Sequence, residues 1–252
     1  MRNIITYVDA NKQHHTIDDI SKIKNISINI SGDFNILKIH HCPNFKNCKI
    51  NISSHFNYIE IRESKCLITF NAEIHGGSYQ NLYIGSNFSS GSTSFIMTEP
   101  FGDIIINDNC MFSSDILFLN SDSHCIFDNE NNLINSASGI LIHDHVWISR
   151  GAKILKNAEI GANSVVGAYS IVAKKFKHKN IAIAGNPAKE IAANIHWERE
   201  ALYKYFDRVG IKQGMVEKVK SKIDARNDYF RNILPQHEYE KISENLASYI
   251  IK

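Results

Sequence analysis

No stretch of this 252-residue chain comes near the roughly 20 consecutive apolar residues that a helix needs to cross a bilayer. Met1 to Thr16 is interrupted by Arg2, Asp9, Lys12, His14 and His15, so it has neither the apolar run nor the cleavage pattern of a secretion signal. Cysteine is scarce: Cys42, Cys48, Cys66, Cys110 and Cys125 form an odd, scattered set with no C-x-x-C. That argues against a disulfide framework or a structural zinc site, and for reduced, mostly buried thiols. A surplus of one charge is also missing, since the formal net charge is +2 and no Lys/Arg run resembles a nucleic-acid footprint. The expectation is a soluble, cytoplasmic protein with no membrane span and no nucleic-acid partner. Its length and 43% hydrophobic content allow one large domain, or one domain with an appendage, around a substantial core.

What is present is a repeat. Ile142, Ile148, Ile154, Ile160, Val166 and Val172 fall at every sixth position, a period that neither a helix nor a sandwich strand requires. Four residues after the first five of these stand Val146, Ala152, Ala158, Ser164 and Ser170, with Asn, Asp and Gly crowded between. A fixed short period marks a solenoid, in which each unit buries its aliphatic residue only by stacking on the next coil. The physical reading is a flat-faced prism, each unit giving one short strand and one corner, and three units making a coil. Gly161 and Gly167 suit corners of positive φ, and Asn157 and Asn163 tolerate them. Ile106, Phe112 and Phe118 continue the register upstream. The gap from Phe118 to Ile142 is a multiple of six but polar in the middle, so Asn120 to Gly139 reads as a loop expelled from the solenoid.

Further upstream, Ile26/Ile28/Ile30, Leu37/Ile39, Ile50/Ile52, Ile59/Ile61, Leu67 and Leu82/Ile84 alternate without a strict period. They read as short strands in irregular early coils of the same solenoid, with a separate small β domain as the alternative. Ser89 to Pro100 reads as a further loop. After Pro187 the spacing turns helical, through Leu202/Tyr205/Phe206/Val209 to Gly210, Val216/Val219/Ile223/Phe230/Ile233 to Pro235, and Tyr239/Ile242/Leu246/Tyr249. The expected organisation is early coils over 1–100, a regular solenoid over 101–191 with a loop at 120–139, and an α-helical extension over 192–252.

The segments Ile142-His143-Asp144-His145-Val146-Trp147-Ile148, Gly161-Ala162-Asn163-Ser164-Val165-Val166-Gly167-Ala168 and Ala184-Gly185-Asn186-Pro187-Ala188-Lys189 resemble the hexapeptide-repeat acyltransferases. The likeness is strongest to sugar and capsule O-acetyltransferases, including those of sialic acid. It is specific from about Ile104 to Ile191, weak before that and absent in the tail. The resemblance implies a mainly β fold wound as a left-handed parallel β-helix, a homotrimer with active sites in clefts between subunits, and acetyl-CoA as co-substrate for transfer to a glycan or sugar acceptor. Two positions depart from the family: His143 stands where it usually has Gly, and Ser149-Arg150 where it has Gly and a small residue.

Asn120-Ser121-Asp122-Ser123-His124-Cys125-Ile126 occupies the place of the family's general-base loop. A sugar hydroxyl is barely ionised at neutral pH, so its proton must leave as it attacks the thioester carbon, and imidazole suits that task. Taken alone, His124 reads equally as a surface histidine in a polar loop; the resemblance makes it the base. Its orienting partner would be Asp122, Asp128 or a backbone carbonyl. The resemblance also sets Trp147 beside the pantetheine arm and acceptor pocket, where a neighbouring subunit or the expelled loop would cover it. Ser149, Gly167, Ala168 and Ala173 would run along the pantetheine, and Lys174, Lys175 and Lys189 would meet the coenzyme's phosphates. His143 and His145 bracket Asp144 at a spacing that suits two metal ligands on a strand, but no third ligand is attached by motif, and no metal is expected. Cys125 points away from its neighbour His124 in an extended chain, which disfavours a thiol nucleophile.

The leading expectation is O-acetylation of a bacterial surface glycan, a capsular, sialic acid or lipopolysaccharide-type sugar, by direct transfer in a ternary complex. N-acetylation of an amino sugar needs a base too but a different acceptor pocket. A catalytically silent scaffold would keep the solenoid without His124 and the lysine cluster, and a metal-dependent hydratase would need a third histidine.

Overall fold

The computed structural model describes residues 3–16, 24–100, 102–202, 204–205 and 236–237. Successive short strands land on three faces in a fixed rotation. Face A stacks nine strands: His14–Thr16 at one edge, antiparallel to Ile4–Val8, then in parallel Ile36–His40, Tyr58–Ile61, Asn81–Ile84, Ile104–Ile106, Ile140–Ile142, Glu159–Ile160 and Lys175–Phe176. Face B carries seven, from Ile26–Ile30 through Cys48–Ile52, Phe70–Ile74, Thr93–Met97, Ile116–Leu119 and Lys153–Leu155 to Ile171–Val172. Face C carries eight, from Phe45–Lys46 through Met111–Phe112, Trp147–Ile148 and Val165–Val166 to the antiparallel pair Ala182–Gly185 and Ala188–Ala192. The chain visits B, then A, then C, which makes a parallel β-helix with three corners. Each parallel strand shares its ladder with the coils on either side, so no coil buries its aliphatic residue alone.

The six-residue register holds. Ile142, Ile148, Ile154, Ile160, Val166 and Val172 are fully buried, and so are Val146, Ala152, Ser164 and Ser170 beside them. At about 1.5–3 kcal/mol for each large aliphatic side chain removed from water, this column alone outweighs any single surface contact. The early coils belong to the same prism, with more residues per coil. Asn57 bonds to Asn35 across 22 residues, whereas His145 bonds to Asn163 across 18. The wider coils hold larger fillers: Phe70, Phe88, Phe95 and Phe118 are fully buried, and neighbouring rings such as Phe95 and Phe118 lie 4.8 Å apart. Longer strands per face explain why no six-residue period shows there.

Ser89 to Pro100 is not a loop. It overlaps the strand Phe88–Ser90 and contains the strand Thr93–Met97, with Thr93, Phe95 and Met97 facing inward. The hydroxyls of Ser90 and Thr93, both buried, bond to each other at 2.6 Å, so a Ser/Thr-rich stretch fills the interior without an unmet polar group. The corner glycines also serve a different purpose from the one expected. The left-handed positions go to Asn157 (φ 66°), Asn163 (φ 58°) and even His145 (φ 55°), and Gly161 and Gly167 are not among them. A Cβ on Gly161 would lie 2.2 Å from the His178 carbonyl oxygen, and one on Gly167 would lie 2.8 Å from the Ala184 Cβ. Close approach between coils, not backbone freedom, requires glycine there. His143 to His145 likewise form a corner rather than a strand, and the two rings meet different groups, Glu159 and Asn163.

The chain divides into two compact units, Met1–Trp197 and Glu198–Lys252. In the second, Leu202, Lys204, Tyr205, Gln236 and His237 are helical; the rest of the three expected amphipathic helices lies outside the described residues. Among the described residues no helix is long and apolar enough to cross a membrane.

Candidate active site

The expelled loop leaves the prism at the corner between faces B and A, after Leu119, and the next strand of face A begins at Ile140. Its root is pinned by Asn120, which is fully buried. The Asn120 side chain donates to Gln80 Oε1 at 3.1 Å and to the Gly102 carbonyl at 2.8 Å, and accepts from the Thr98 amide at 3.0 Å. That asparagine ends a ladder of buried amides inside the corner, in which Asn57 donates to Asn35 and the Gln80 amide donates to Asn57. Each amide satisfies the next coil's polar groups, so the chain can turn outward at Asn120 without leaving an orphan in the core.

Two residues then hold the loop in shape. Asn135 donates to the carboxylate of Asp122 (3.0 Å) and to the carbonyl of His124 (2.7 Å), and accepts from the Ile126 amide (2.7 Å). Lys156, on the next coil, donates to Asp122 Oδ2 at 2.6 Å and to the carbonyls of Asn135 and Ser136 at 2.8 and 3.2 Å. The Lys156 ammonium, with the Asn135 amide behind it, holds the Asp122 carboxyl below the usual carboxylate range. A cleft of about 400 Å³ opens under the loop, lined by Asp122, Ile134, Ser136, Leu155, Lys156 and Ala173 among others.

His124 is exposed on this loop. Its backbone is fixed by Asn135, while neither candidate carboxylate lies within ion-pair reach of its ring: Asp122 is taken by Lys156, and Asp128 closes its own turn with Asn132 and Glu130. Cys125 beside it is exposed. Trp147 sits elsewhere, on face C, half-buried and paired with Met111 and Val165. A ring from outside the repeat also approaches it. Trp197, from the segment after the last hairpin, lies 6.0 Å from it ring to ring, stacks on His145 at 4.2 Å, and donates its Nε1–H to the His145 carbonyl at 2.9 Å.

The residues expected along the coenzyme divide between two corners. Ser149 and Gly167 stand on successive coils at the corner between faces C and B, with the Ser149 amide bonded to Val166 and the Gly167 amide to Ile183. Ala168 is exposed beside Gly167, and Lys189 pairs with Ala184, whose Cβ fills the space next to Gly167. Ala173, Lys174 and Lys175 lie at the other corner, below the loop, all exposed, with the Lys174 ammonium over the Phe176 ring at 5.1 Å. Among the described residues no cluster of His, Cys, Asp and Glu suits a metal ion. Lys156, Asn135 and Trp197 escaped the sequence reading, which has Asn120 only as the first residue of the loop. Lys156 and Asn135 carry no motif, because their role depends on chain brought back by the loop. Trp197 stands one residue from charged Glu198, outside any period.

Residues 139–174 match the family model described as bacterial transferase hexapeptide (six repeats). Over 117 residues the chain is 35% identical to the polysialic acid O-acetyltransferase of Escherichia coli O1:K1 / APEC, an overlap covering 46% of this chain and 38% of that protein. The chain thus matches well under half of that relative's length. Among solved structures, the polySia-specific acetyltransferase NeuO is similar with a TM-score of 0.62 at 25% identity, covering 79% of this chain and 80% of that one. The polysialic acid O-acetyltransferase OatWY is similar with a TM-score of 0.45 at 27% identity, covering 74% and 94%. Residues 139–174 thus carry the bacterial transferase hexapeptide repeat, and the chain, wound in three-faced coils, has the left-handed β-helix fold and is similar to the polysialic acid O-acetyltransferases.

Proposed function

We propose that the protein transfers an acetyl group from acetyl-CoA to a hydroxyl of a bacterial surface glycan, with His124 as general base. The observation that carries this reading is the expelled loop: it is held rigidly by Asn120, Asn135 and Lys156, yet it presents a histidine ring with no partner of its own chain among the described residues. Rigid presentation of an accessible imidazole is what proton abstraction from a hydroxyl needs. The imidazole takes the acceptor proton as the oxygen attacks the thioester carbonyl. The tetrahedral intermediate then collapses, the C–S bond breaks, and the imidazolium returns its proton to the departing coenzyme sulfur. Both substrates are bound together, and no acyl-enzyme forms.

Within one chain the loop leaves between faces B and A, while Trp147, Ser149 and Gly167 lie on face C and at its border with B. A complete site therefore draws His124 from one copy and the coenzyme trench from its neighbour, which makes a homotrimer the natural assembly. Asp122 acts through Lys156 in setting the loop, and Lys174, Lys175 and Lys189 stand ready for the coenzyme's phosphates. The likeness to polysialic acid O-acetyltransferases supports a glycan acceptor.

The test is acetyl transfer from acetyl-CoA onto sialic acid polymers, other capsular glycans and amino sugars. His124→Ala should lower turnover by about 10²- to 10⁴-fold with coenzyme affinity near normal, and initial-rate lines should intersect. Full activity in a folded His124→Ala protein would remove the base assignment, and parallel lines with a thioester trapped on Cys125 would replace direct transfer by a covalent route.

A further inference from the structure

Left-handed backbone suits asparagine and glycine and strains a bulky side chain. Among the described residues, nine of the eighteen non-glycine residues with left-handed backbone are asparagine, and at the border of faces A and C the left-handed Asn87 and Asn109 bond side chain to side chain at 2.6 Å. At the border of faces B and A, three successive coils do the opposite. Phe34 (φ 59°), Phe56 (φ 58°) and Tyr79 (φ 60°) hold the left-handed positions. Their side chains point outward and stay 40%, 45% and 52% exposed. The rings stack almost parallel, Phe34 on Phe56 at 4.7 Å and Phe56 on Tyr79 at 5.0 Å, and form an apolar strip along the edge of the prism. Stacking orders the rings against one another. It gives no reason for placing exposed aromatics at strained corners where asparagine would serve, and that combination of strain and exposed apolar surface marks a functional feature.

The chemistry beside the strip is specific. Asp33, His55 and Ser78 each precede one ring; the Asp33 amide donates to His55 Nδ1 at 3.0 Å, and the His55 amide donates to Ser78 Oγ at 3.2 Å. The side chains of Asp33 and His55 are 61% and 49% exposed. No lysine or arginine occurs in the corner segments 31–35, 53–57 and 75–80. Flat apolar surface flanked by a carboxylate, an imidazole and a hydroxyl recognises the C–H faces and hydroxyls of uncharged sugars, and these segments offer no lysine or arginine to an anionic one. The position fits as well. Beneath the strip runs the amide ladder of Asn35, Asn57 and Gln80, and it ends on Asn120 at the root of the His124 loop.

We propose that Phe34, Phe56 and Tyr79 form an acceptor subsite that holds uncharged sugar units of an extended glycan while a neighbouring unit reaches the 120–139 loop. This rests on glycan acetylation being the activity. The test uses a printed array of neutral, amino-bearing and sialylated glycans, probed with the full wild-type chain, His124→Ala, Tyr79→Asn, and the triple variant Phe34→Asn/Phe56→Asn/Tyr79→Asn, whose new side chains tolerate the left-handed corners. Neutral glycans longer than a disaccharide should bind the wild-type and His124→Ala proteins alike. In titration with the best neutral glycan, the triple variant should bind about tenfold or more weakly, and Tyr79→Asn should move in the same direction. Wild-type binding confined to sialylated glycans, absent altogether, or unchanged in folded Tyr79→Asn and the triple variant would overturn the subsite. So would a fall in the triple variant's oligomeric mass, which would assign the strip to a contact between copies. Loss of the proposed activity alone would appear as ring-dependent binding without acetyl transfer, and loss of the subsite alone as transfer without ring-dependent binding.

Discussion

If His124 is the base, Lys156 would govern the chemistry through an interaction that hardly stabilises the fold. Its partner Asp122 is 44% exposed, and exposed ion pairs contribute about 0–1 kcal/mol. Positioning a base is far more sensitive, since a shift of about 1 Å in a reacting group can cost about 10²-fold in rate. Lys156→Met should therefore leave the melting temperature almost unchanged and reduce turnover by about tenfold or more, as read by calorimetry and initial rates on the same preparation. The pH dependence follows from the direction of the Asp122 shift. A carboxyl with a lowered folded pKa contributes its tether fully above the ordinary aspartate value of about 3.9, and loses it as pH falls through the depressed folded value. Pepsin cleavage within 120–139 should accordingly rise only below that ordinary value, and Asp122→Asn should be cleaved readily at every pH tested. Equal protection in Asp122→Asn would show that the Asp122–Lys156 pair does not tether the loop.

At the scale of the element, a coil is defined by what it buries and by how close its corners approach the next coil. Ile160 is fully buried among stacked aliphatics, so Ile160→Asp should cost several kcal/mol and unfold the neighbouring coils. Gly161→Ala tests a different term: the added methyl meets a backbone oxygen at 2.2 Å, which cannot move aside as a side chain would, and a loss of about 1–3 kcal/mol is expected. Replacing polar residues between Asn129 and Asn132 by serine should leave thermal unfolding untouched, because that part of the loop is exposed. A melting temperature insensitive to both core-side changes would contradict the register. The repeat from Ile142 to Val172 shows plainly in the sequence because narrow coils, with short strands on each face, admit few inward residues at fixed intervals. Wider early coils hide theirs, since phenylalanine, serine, threonine and asparagine all take interior places, and Ser90 and Thr93 look like loop residues until their mutual bond is seen.

For the whole molecule, the separation of His124 from Trp147 onto different sides of the prism has a direct consequence if the site forms between copies. His124→Ala and Trp147→Ala should each be inactive alone. Unfolded together and refolded as a mixture, they should regain part of the wild-type rate, because some seams then pair an intact loop with an intact trench. A mixture as inactive as its components, with mixed oligomers confirmed by mass, would place the whole site within one chain. The solution mass of the active protein should be that of a trimer.

Sequence alone determined the solenoid, its C-terminal register, the position of the expelled loop and the histidine it carries, because each follows from local spacing: which residues must face inward, and where the polar run is too long to be a corner. Only the tertiary structure decided what meets across coils. Residues some 18 or 22 positions apart become neighbours through stacking. For that reason the amide ladder ending at Asn120, the Lys156 clamp, Trp197 on His145 and the aromatic strip at Phe34, Phe56 and Tyr79 have no local signature. The glycines were legible as glycines but not in purpose, since whether a Cβ is refused by its own φ or by a neighbouring coil depends on atoms that the sequence holds far apart.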